Sequence, residues 1–240
     1  RALTMDNGLS NFVVTSFFKD STGFIWIGTD NGFVVLYNSN GIFNTNYIDA
    51  SRILVNFEGN VEELLNGTAI TDIEIDGGNR KWIATANTGI FLLSADGQDV
   101  IKHYTKENSA LISNAIMDMD FNHKTGELFV VTDLGMVSLR ADASEEDASY
   151  ASVSVFPNPV KPDYTGPITI QGIRYDSDVR ITDAAGKLVY KTTSNGGTAT
   201  WNGKTMSGAP VATGVYFIWT ATNENLTSKD RKVGKVVVVR

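Results

Sequence analysis

The sequence predicts an all-β protein in two parts, a partial β-propeller of about three blades followed by a β-sandwich. Three observations carry that prediction. One phrase occurs three times in the first 140 residues: a polar turn, an aromatic-led strand, Thr, a tight turn with Gly, and an apolar strand. Its threonines, Thr29, Thr85 and Thr132, lie 56 and 47 residues apart, a period that marks propeller blades and other arrays. After an acidic, aperiodic stretch the pattern changes to about seven short strands with turn chemistry between them. The parts are 1–140 as blades, 141–152 as linker and 153–240 as sandwich.

In the first copy, residues 13–18 form a strand and Asp20-Ser21-Thr22-Gly23 the turn. Residues 24–29 form the next strand, Asp30-Asn31-Gly32 supplies an Asn-Gly hairpin turn, and residues 33–37 return antiparallel. Residues 61–65 read as one helical turn in the longer link. The second copy alternates before its turn: Ile73 and Ile75 face one way, Asp72, Glu74 and Asp76 the other. Met117, Met119 and Phe121 against Asp118 and Asp120 repeat this in the third copy.

Trp26, Trp82 and Phe129 occupy one slot, Thr29, Thr85 and Thr132 a second, and Gly32, Gly89 and Gly135 a third. The large flat rings fill the wedge between twisted sheets packed face to face. The small residues Gly28 and Ala84 let the adjacent sheet approach closely. This signature is structural, and the tryptophans read as blade core rather than ligand platforms. Three blades do not close a ring, so an open arc, or ends covered by a contact, is expected.

The stretch 141–152 is polar and lacks periodicity, as a linker does. Beyond it, strands are expected at 153–156, 168–170, 179–182, 188–190, 199–201, 214–221 and 235–240. Pro157 and Pro159, the turn Asp183-Ala184-Ala185-Gly186, Asn202-Gly203 and the polar stretch 222–230 separate them. About seven short strands in 88 residues, with turn chemistry between them, describe a β-sandwich.

Composition bounds the function. At 240 residues, 42% apolar and 20% charged, the chain is an ordinary globular one. It has no run of 18 apolar residues, so no membrane-spanning helix is encoded. It opens on Arg1, as a processed or trimmed piece of something longer would. The absence of cysteine excludes disulfides, thiolate metal sites and cysteine nucleophiles. Residues 1–152 carry 9 Lys and Arg against 21 Asp and Glu, a net of −12, whereas residues 153–240 carry 11 against 6, a net of +5. Opposite signs support two domains with different partners or mutual docking. Nucleic acid does not fit the acidic half.

Catalytic chemistry is hard to find. His103 sits in an expected outer strand and His123 in a hairpin turn, both as structural residues. Asp72, Glu74 and Asp76, and likewise Asp118 and Asp120, could serve a glycosidase or Ca²⁺, but alternation along one strand is what a solvated face looks like. No Gly-x-Ser-x-Gly, phosphate loop or His-Glu-x-x-His is present. No enzyme, metal or cofactor is expected. Among basic residues, Arg174, Arg180, Lys187, Lys191 and Lys204 form the candidate set for phosphate or uronate groups of an anionic glycan.

Both halves resemble known families. The repeats resemble the two-component-regulator type propeller repeat, with its Asp-x-x-Gly-x-apolar-Trp-apolar-Gly-Thr-x-x-Gly phrase. Asn7-Gly8-Leu9-Ser10-Asn11 and residues 107–114 look like that family's loop before each blade. The third copy departs, with Phe129 for Trp and Val131 for the small residue. Residues 153–240 resemble the FlgD-like immunoglobulin fold and the sorting domains of type IX secretion cargo. The matching residues are Phe156-Pro157-Asn158-Pro159, the segment 179–189, Thr200-Trp201-Asn202-Gly203, the segment 208–216 and the terminal Lys235-Val236-Val237-Val238-Val239-Arg240.

Such domains are address labels for crossing the outer membrane of Bacteroidetes. Propeller repeats before such a domain resemble the surface proteins of the type IX attachment complex. The resemblance implies work with the sortase, contact with anionic lipopolysaccharide and a place at the cell surface or outer membrane. The expected function is therefore a non-enzymatic envelope protein of the type IX pathway. Its propeller would be a binding or assembly platform and its sandwich a sorting signal. A glycan-binding or glycan-active cargo with the same sorting domain, and the periplasmic sensor of a hybrid two-component system, are the alternatives.

Overall fold

The computed structural model describes residues 2–39, 49–57, 60–147, 149–150, 153–221 and 231–240. These are almost entirely β-structure, with one short 3₁₀ turn at Met5–Asn7. They divide into two compact units, Arg1–Asn122 with Glu127–Arg140, and His123–Gly126 with Ala141–Arg240.

The first unit holds three antiparallel blades. Blade 1 is β1 (Val14–Lys19), β2 (Ile25–Thr29) and β3 (Gly32–Leu36), and the outer edge of β3 bonds Ser51 through Val35 in both directions. A hairpin of β4 (Leu54–Phe57) and β5 (Asn60–Glu63) follows. Where one helical turn is expected at 61–65, the chain runs as β5 and then turns at 64–67, with Leu65 at φ 57°. A helix cannot pass through that left-handed backbone. Blade 2 is β6 (Ile70–Ile75), β7 (Lys81–Thr85), β8 (Ile90–Leu93) and β9 (Val100–Tyr104). Blade 3 is β10 (Ile116–Asn122), β11 (Glu127–Thr132) and β12 (Gly135–Arg140). The first strand of every blade shifts register at one place, between Val14 and Ser16, Ile70 and Asp72, and Ile116 and Asp118. A bulge there bends and twists the strand, and its recurrence makes the repeat geometric as well as sequential.

The repeated phrase explains itself in hydrogen bonds. Asp20 Oδ1 accepts the Thr22 and Phe24 N–H groups and closes the turn, while Oδ2 accepts Trp26 Nε1 at 2.9 Å. Asp76 does the same with Gly78, Arg80 and Trp82 Nε1, and adds an ion pair to Arg80. The Thr29, Thr85 and Thr132 hydroxyls donate to the carbonyls of Gly32, Gly89 and Gly135 at 2.7–2.8 Å. The glycine N–H then reaches forward to the next blade, from Gly32 to the Thr68 carbonyl and from Gly89 to the Asn114 carbonyl. Gly89, at φ +87°, could not carry a side chain, because a Cβ would stand 2.2 Å from the Tyr104 carbonyl oxygen.

The wedges behave as the slot pattern predicts. Trp26 is buried among Phe33, Ile53, Ile70 and Leu93, and Trp82 packs on Tyr104 and, across the seam, on Phe121 of blade 3. A Cβ on Gly28 would come within 2.8 Å of Ile70 on blade 2, which is the close approach expected of that slot. Lys81 of blade 2, itself buried, binds Asp20 of blade 1 at 3.0 Å beneath the Trp26 ring. The side of blade 3 that faces away from blade 2 is open. Met117, Leu134 and Met136 are exposed there, so the three blades form an arc rather than a ring.

The second unit comprises β13 (Ser154–Phe156), β14 (Ile168–Gln171), β15 (Asp178–Thr182), β16 (Leu188–Thr193), β17 (Thr198–Trp201), β18 (Gly214–Ala221) and β19 (Arg231–Val238). They form a three-stranded sheet in the order β13-β14-β17 and a four-stranded sheet in the order β16-β15-β18-β19. Their inner faces enclose Ile168, Ile170, Val179, Ile181, Ile218 and Val236, with Trp201 edge-on to Tyr216. The acidic stretch read as a linker is held on this unit: Ala143 is buried and Ser144 Oγ bonds Thr198 Oγ1 at 2.7 Å. Residues 148, 151 and 152 of that stretch, and the connection 222–230, lie outside the described residues.

Candidate functional site

The signature residues Trp26, Trp82 and the Thr and Gly slots sit in the blades as scaffold, spent on turns, wedges and seams, while Phe129 in the third aromatic slot is only partly covered. The histidines do not meet. His103 stacks on Phe91 with ring centroids 3.9 Å apart and its Nε2 against the Thr88 carbonyl, and His123 lies exposed in the β10–β11 turn.

Of the carboxylates expected on a solvated face, Asp118 and Asp120 are exposed on β10, whereas Asp72, Glu74 and Asp76 on blade 2 are drawn in. Asp76 is buried in its turn, and Asp72 Oδ2 accepts the Met119 N–H of β10 at 3.1 Å. Asp72 and Glu74 are half-buried, because the neighbouring blade covers that side of β6. Burial, then the charges of Asp72, Asp120 and Asp118, push the Glu74 carboxyl up to about 7. Burial also raises Asp72, with the Asp118 and Asp120 charges adding to it and the Ile73 and Met119 N–H groups opposing. Among the described residues no group of three His, Asp or Glu side chains is arranged to hold a metal ion.

The basic candidates in the second unit divide. Arg180 on β15 and Lys191 on β16 are cross-strand partners, and both reach Asp178 Oδ2, at 3.0 and 3.2 Å. They line a groove of about 470 Å³ with Thr182, Gly186, Leu188 and Trp219. Lys187 follows directly on Gly186, its N–H held by Asp183 Oδ1 in the turn before β16. Arg174 and Lys204 are elsewhere. The Arg174 carbonyl is fixed by Ser177 and Ser194 hydroxyls, and Lys204 lies past β17, where its carbonyl accepts Trp201 Nε1. The candidate site is therefore the Arg180–Lys191 groove. Trp219, the member the basic-residue pattern could not supply, donates Nε1 to Thr182 Oγ1 at 3.0 Å.

Residues 154–235 match the secretion system C-terminal sorting domain family. The second unit carries a sorting domain. Over 99% of its length the chain is similar to PorZ of Porphyromonas gingivalis, described as an essential bacterial surface component of the type IX secretion system, at 30% identity and a TM-score of 0.65. It spans 33% of that PorZ chain. It is also 30% identical over 95 residues to histidine kinase P4 of Formosa agariphila, a stretch that covers 40% of this chain and 6% of the kinase. The extracellular domain of the hybrid two-component system BT3049 from B. thetaiotaomicron matches along the chain at 10% identity, 34% of that domain and a TM-score of 0.43. The sorting domain and the likeness to PorZ tie this all-β chain to type IX secretion, as a secreted or cell-surface protein.

Proposed function

We propose that this chain belongs to a non-enzymatic surface protein of the type IX pathway, delivered to the outer membrane by its sandwich and presenting its blades as an assembly platform for the sortase and attachment complex. The match of residues 154–235 to the sorting domain carries this reading. Spending of the repeated Asp, Trp and Thr side chains on turns and seams supports a platform rather than a catalyst. The basic residues of the second unit, with Arg180 and Lys191 gathered in one groove, are the contact to anionic lipopolysaccharide.

The test is export of the whole chain behind a periplasmic signal in a type IX-competent bacterium and in a strain lacking the translocon. The expected result is surface display, read as protease accessibility on intact cells, in the first strain and periplasmic retention in the second. Equal display in both strains, or retention in both, overturns the proposal.

A further inference from the structure

The last strand of the second unit carries a self-adhesive segment. Val236, Val237, Val238 and Val239 are consecutive β-branched residues with no Pro or Gly among them, the composition of a strand that pairs readily with copies of itself. The strand also stands at the edge of its sheet: in the order β16-β15-β18-β19, only β18 lies beside it. An edge strand presents a row of N–H and C=O groups to which a strand of another molecule can add.

Here that row is taken. Val160 forms a parallel bridge to Val238, its N–H donating to the Val237 carbonyl at 2.8 Å and its carbonyl accepting the Val239 N–H at 2.9 Å. A parallel ladder repeats this pattern every second residue, so the residue two places earlier would donate to the Lys235 carbonyl and accept the Val237 N–H. Residue 158 makes that pair of bonds with its side chain. Asn158 Nδ2 donates to the Lys235 carbonyl at 3.1 Å, and Oδ1 accepts the Val237 N–H at 3.0 Å. A carboxamide carries the donor and the acceptor of a peptide group, whereas a carboxylate supplies only the acceptor and an aliphatic chain neither.

The flanks complete the closure. Upstream on β19, Gly234 pairs with Ile218 and Lys232 with Trp219, which leaves Val233 as an extra residue, a bulge that breaks the edge. The segment beside β19 offers little edge of its own. Pro157, Pro159 and Pro162 are three of the chain's five prolines. Val160 turns its N–H and carbonyl to β19, so Pro159 is the neighbour that faces away, and it has no N–H to give a further strand.

We propose that residues 157–162 are an edge guard, in which the Asn158 carboxamide stands in for a strand residue and keeps β19 from pairing with β19 of a second copy. The guard lets the terminal strand remain strongly β-forming, as its place in the sandwich core demands of Val236 and Val238, without making the chain adhesive.

The test uses the whole chain, with amide hydrogen exchange at Val237 and Val239 and sedimentation velocity over a range of concentrations. In Asn158→Ala, Val237 exchange should accelerate at least about tenfold in the monomer, because its acceptor is gone, while Val239, still held by Val160, changes less than about threefold. Asn158→Leu, close to Asn in size with neither donor nor acceptor, should do the same and stands if Asn158→Ala does not fold. Both variants should self-associate as concentration rises, and Val237 should regain protection in the associated form. Adding Val237→Pro removes the edge N–H, which points away from β18, and should abolish the association. Near-ultraviolet circular dichroism checks each fold, and the return of Val237 protection decides by itself if the proline variant does not fold. Unchanged Val237 exchange overturns the proposal. So does faster exchange without association, or association that leaves Val237 unprotected or survives Val237→Pro.

Discussion

Replacing Glu74 by Gln should stabilise the first unit, and only at neutral and alkaline pH. Glu74 lies on β6 with Asp72 beside it and Asp118 and Asp120 across the seam on β10, and its carboxyl is pushed from 4.5 up to about 7. A carboxyl that binds its proton more tightly in the folded state stabilises the fold at low pH, and that contribution is lost as pH rises from about 4.5 through about 7. Converted in full, a displacement of that size corresponds to about 3.4 kcal/mol. Glu74 is only half-buried, so solvent screening reduces the expected cost of its charge to about 1 kcal/mol. Glutamine keeps the shape and removes the charge. Urea unfolding of wild type and Glu74→Gln at pH 5 and pH 8 measures the effect. The variant should match wild type at pH 5 and exceed it by about 1 kcal/mol at pH 8, or about 3 °C in Tm. Equal stabilities at pH 8, or the same gain at both pH values, would refute the reasoning.

Two further perturbations probe the first seam. Hydrogen bonds from Thr22, Trp26 and Lys81 outweigh burial and bring the Asp20 carboxyl down to about 2, so Asp20 stays charged in the fold. Lys81→Met strips its buried counter-ion and should cost about 3–5 kcal/mol, with the Asp20→Asn/Lys81→Met double variant recovering much of it. A single-variant loss below about 1 kcal/mol in urea unfolding would show that the pair does not hold the blades together. Gly97 has φ +76°, and a Cβ there would lie 2.3 Å from Trp26 Cη2. Gly97→Ala should therefore lose more than about 2 kcal/mol, from left-handed backbone strain and displacement of the Trp26 ring. An unchanged Tm would contradict the close packing of that turn on the wedge.

What the sequence disclosed about this fold was whatever repeats or alternates locally. The Asp–Trp pairing and the Thr–Gly turn act within a few residues of one another, so their spacing recurs visibly, and the small Gly28 slot showed only as a place in the repeat, because Ile70, which it admits, lies on the next blade. Asp72 and Glu74 were misread as solvated because the surface that covers them, β10, lies some 45 residues on, and strand alternation records a face without saying what lies against it. Lys81 gave no signal in the sequence for the same reason: its carboxylate, Asp20, is 61 residues back. In the second unit, composition collected five basic residues, but strand register brought only Arg180 and Lys191 together. Trp219 was legible in principle. The β18 alternation that sends Tyr216 and Ile218 inward sends Trp219 out, and an outward indole beside Arg180 is a signal that basic-residue counting misses.

The exposed side of blade 3 has a consequence for how the first unit holds together. β7 lies between blades on both of its faces, whereas β12 has a partner strand on one edge and a neighbouring blade on one side only. In a one-dimensional stack each unit's stability is a sum of its own and its neighbours' contributions, so cohesion here is graded, greatest at blade 2 and least at the two outer blades, where Phe17 on β1 and Met136 on β12 are both exposed. Local opening then starts at an outer strand, β1 or β12, and travels inward. From the β12 end such fraying would uncover Asp72 and Glu74, and because protonation relieves the repulsion they feel in the seam, acidity acts as a brake on the unzipping of the arc.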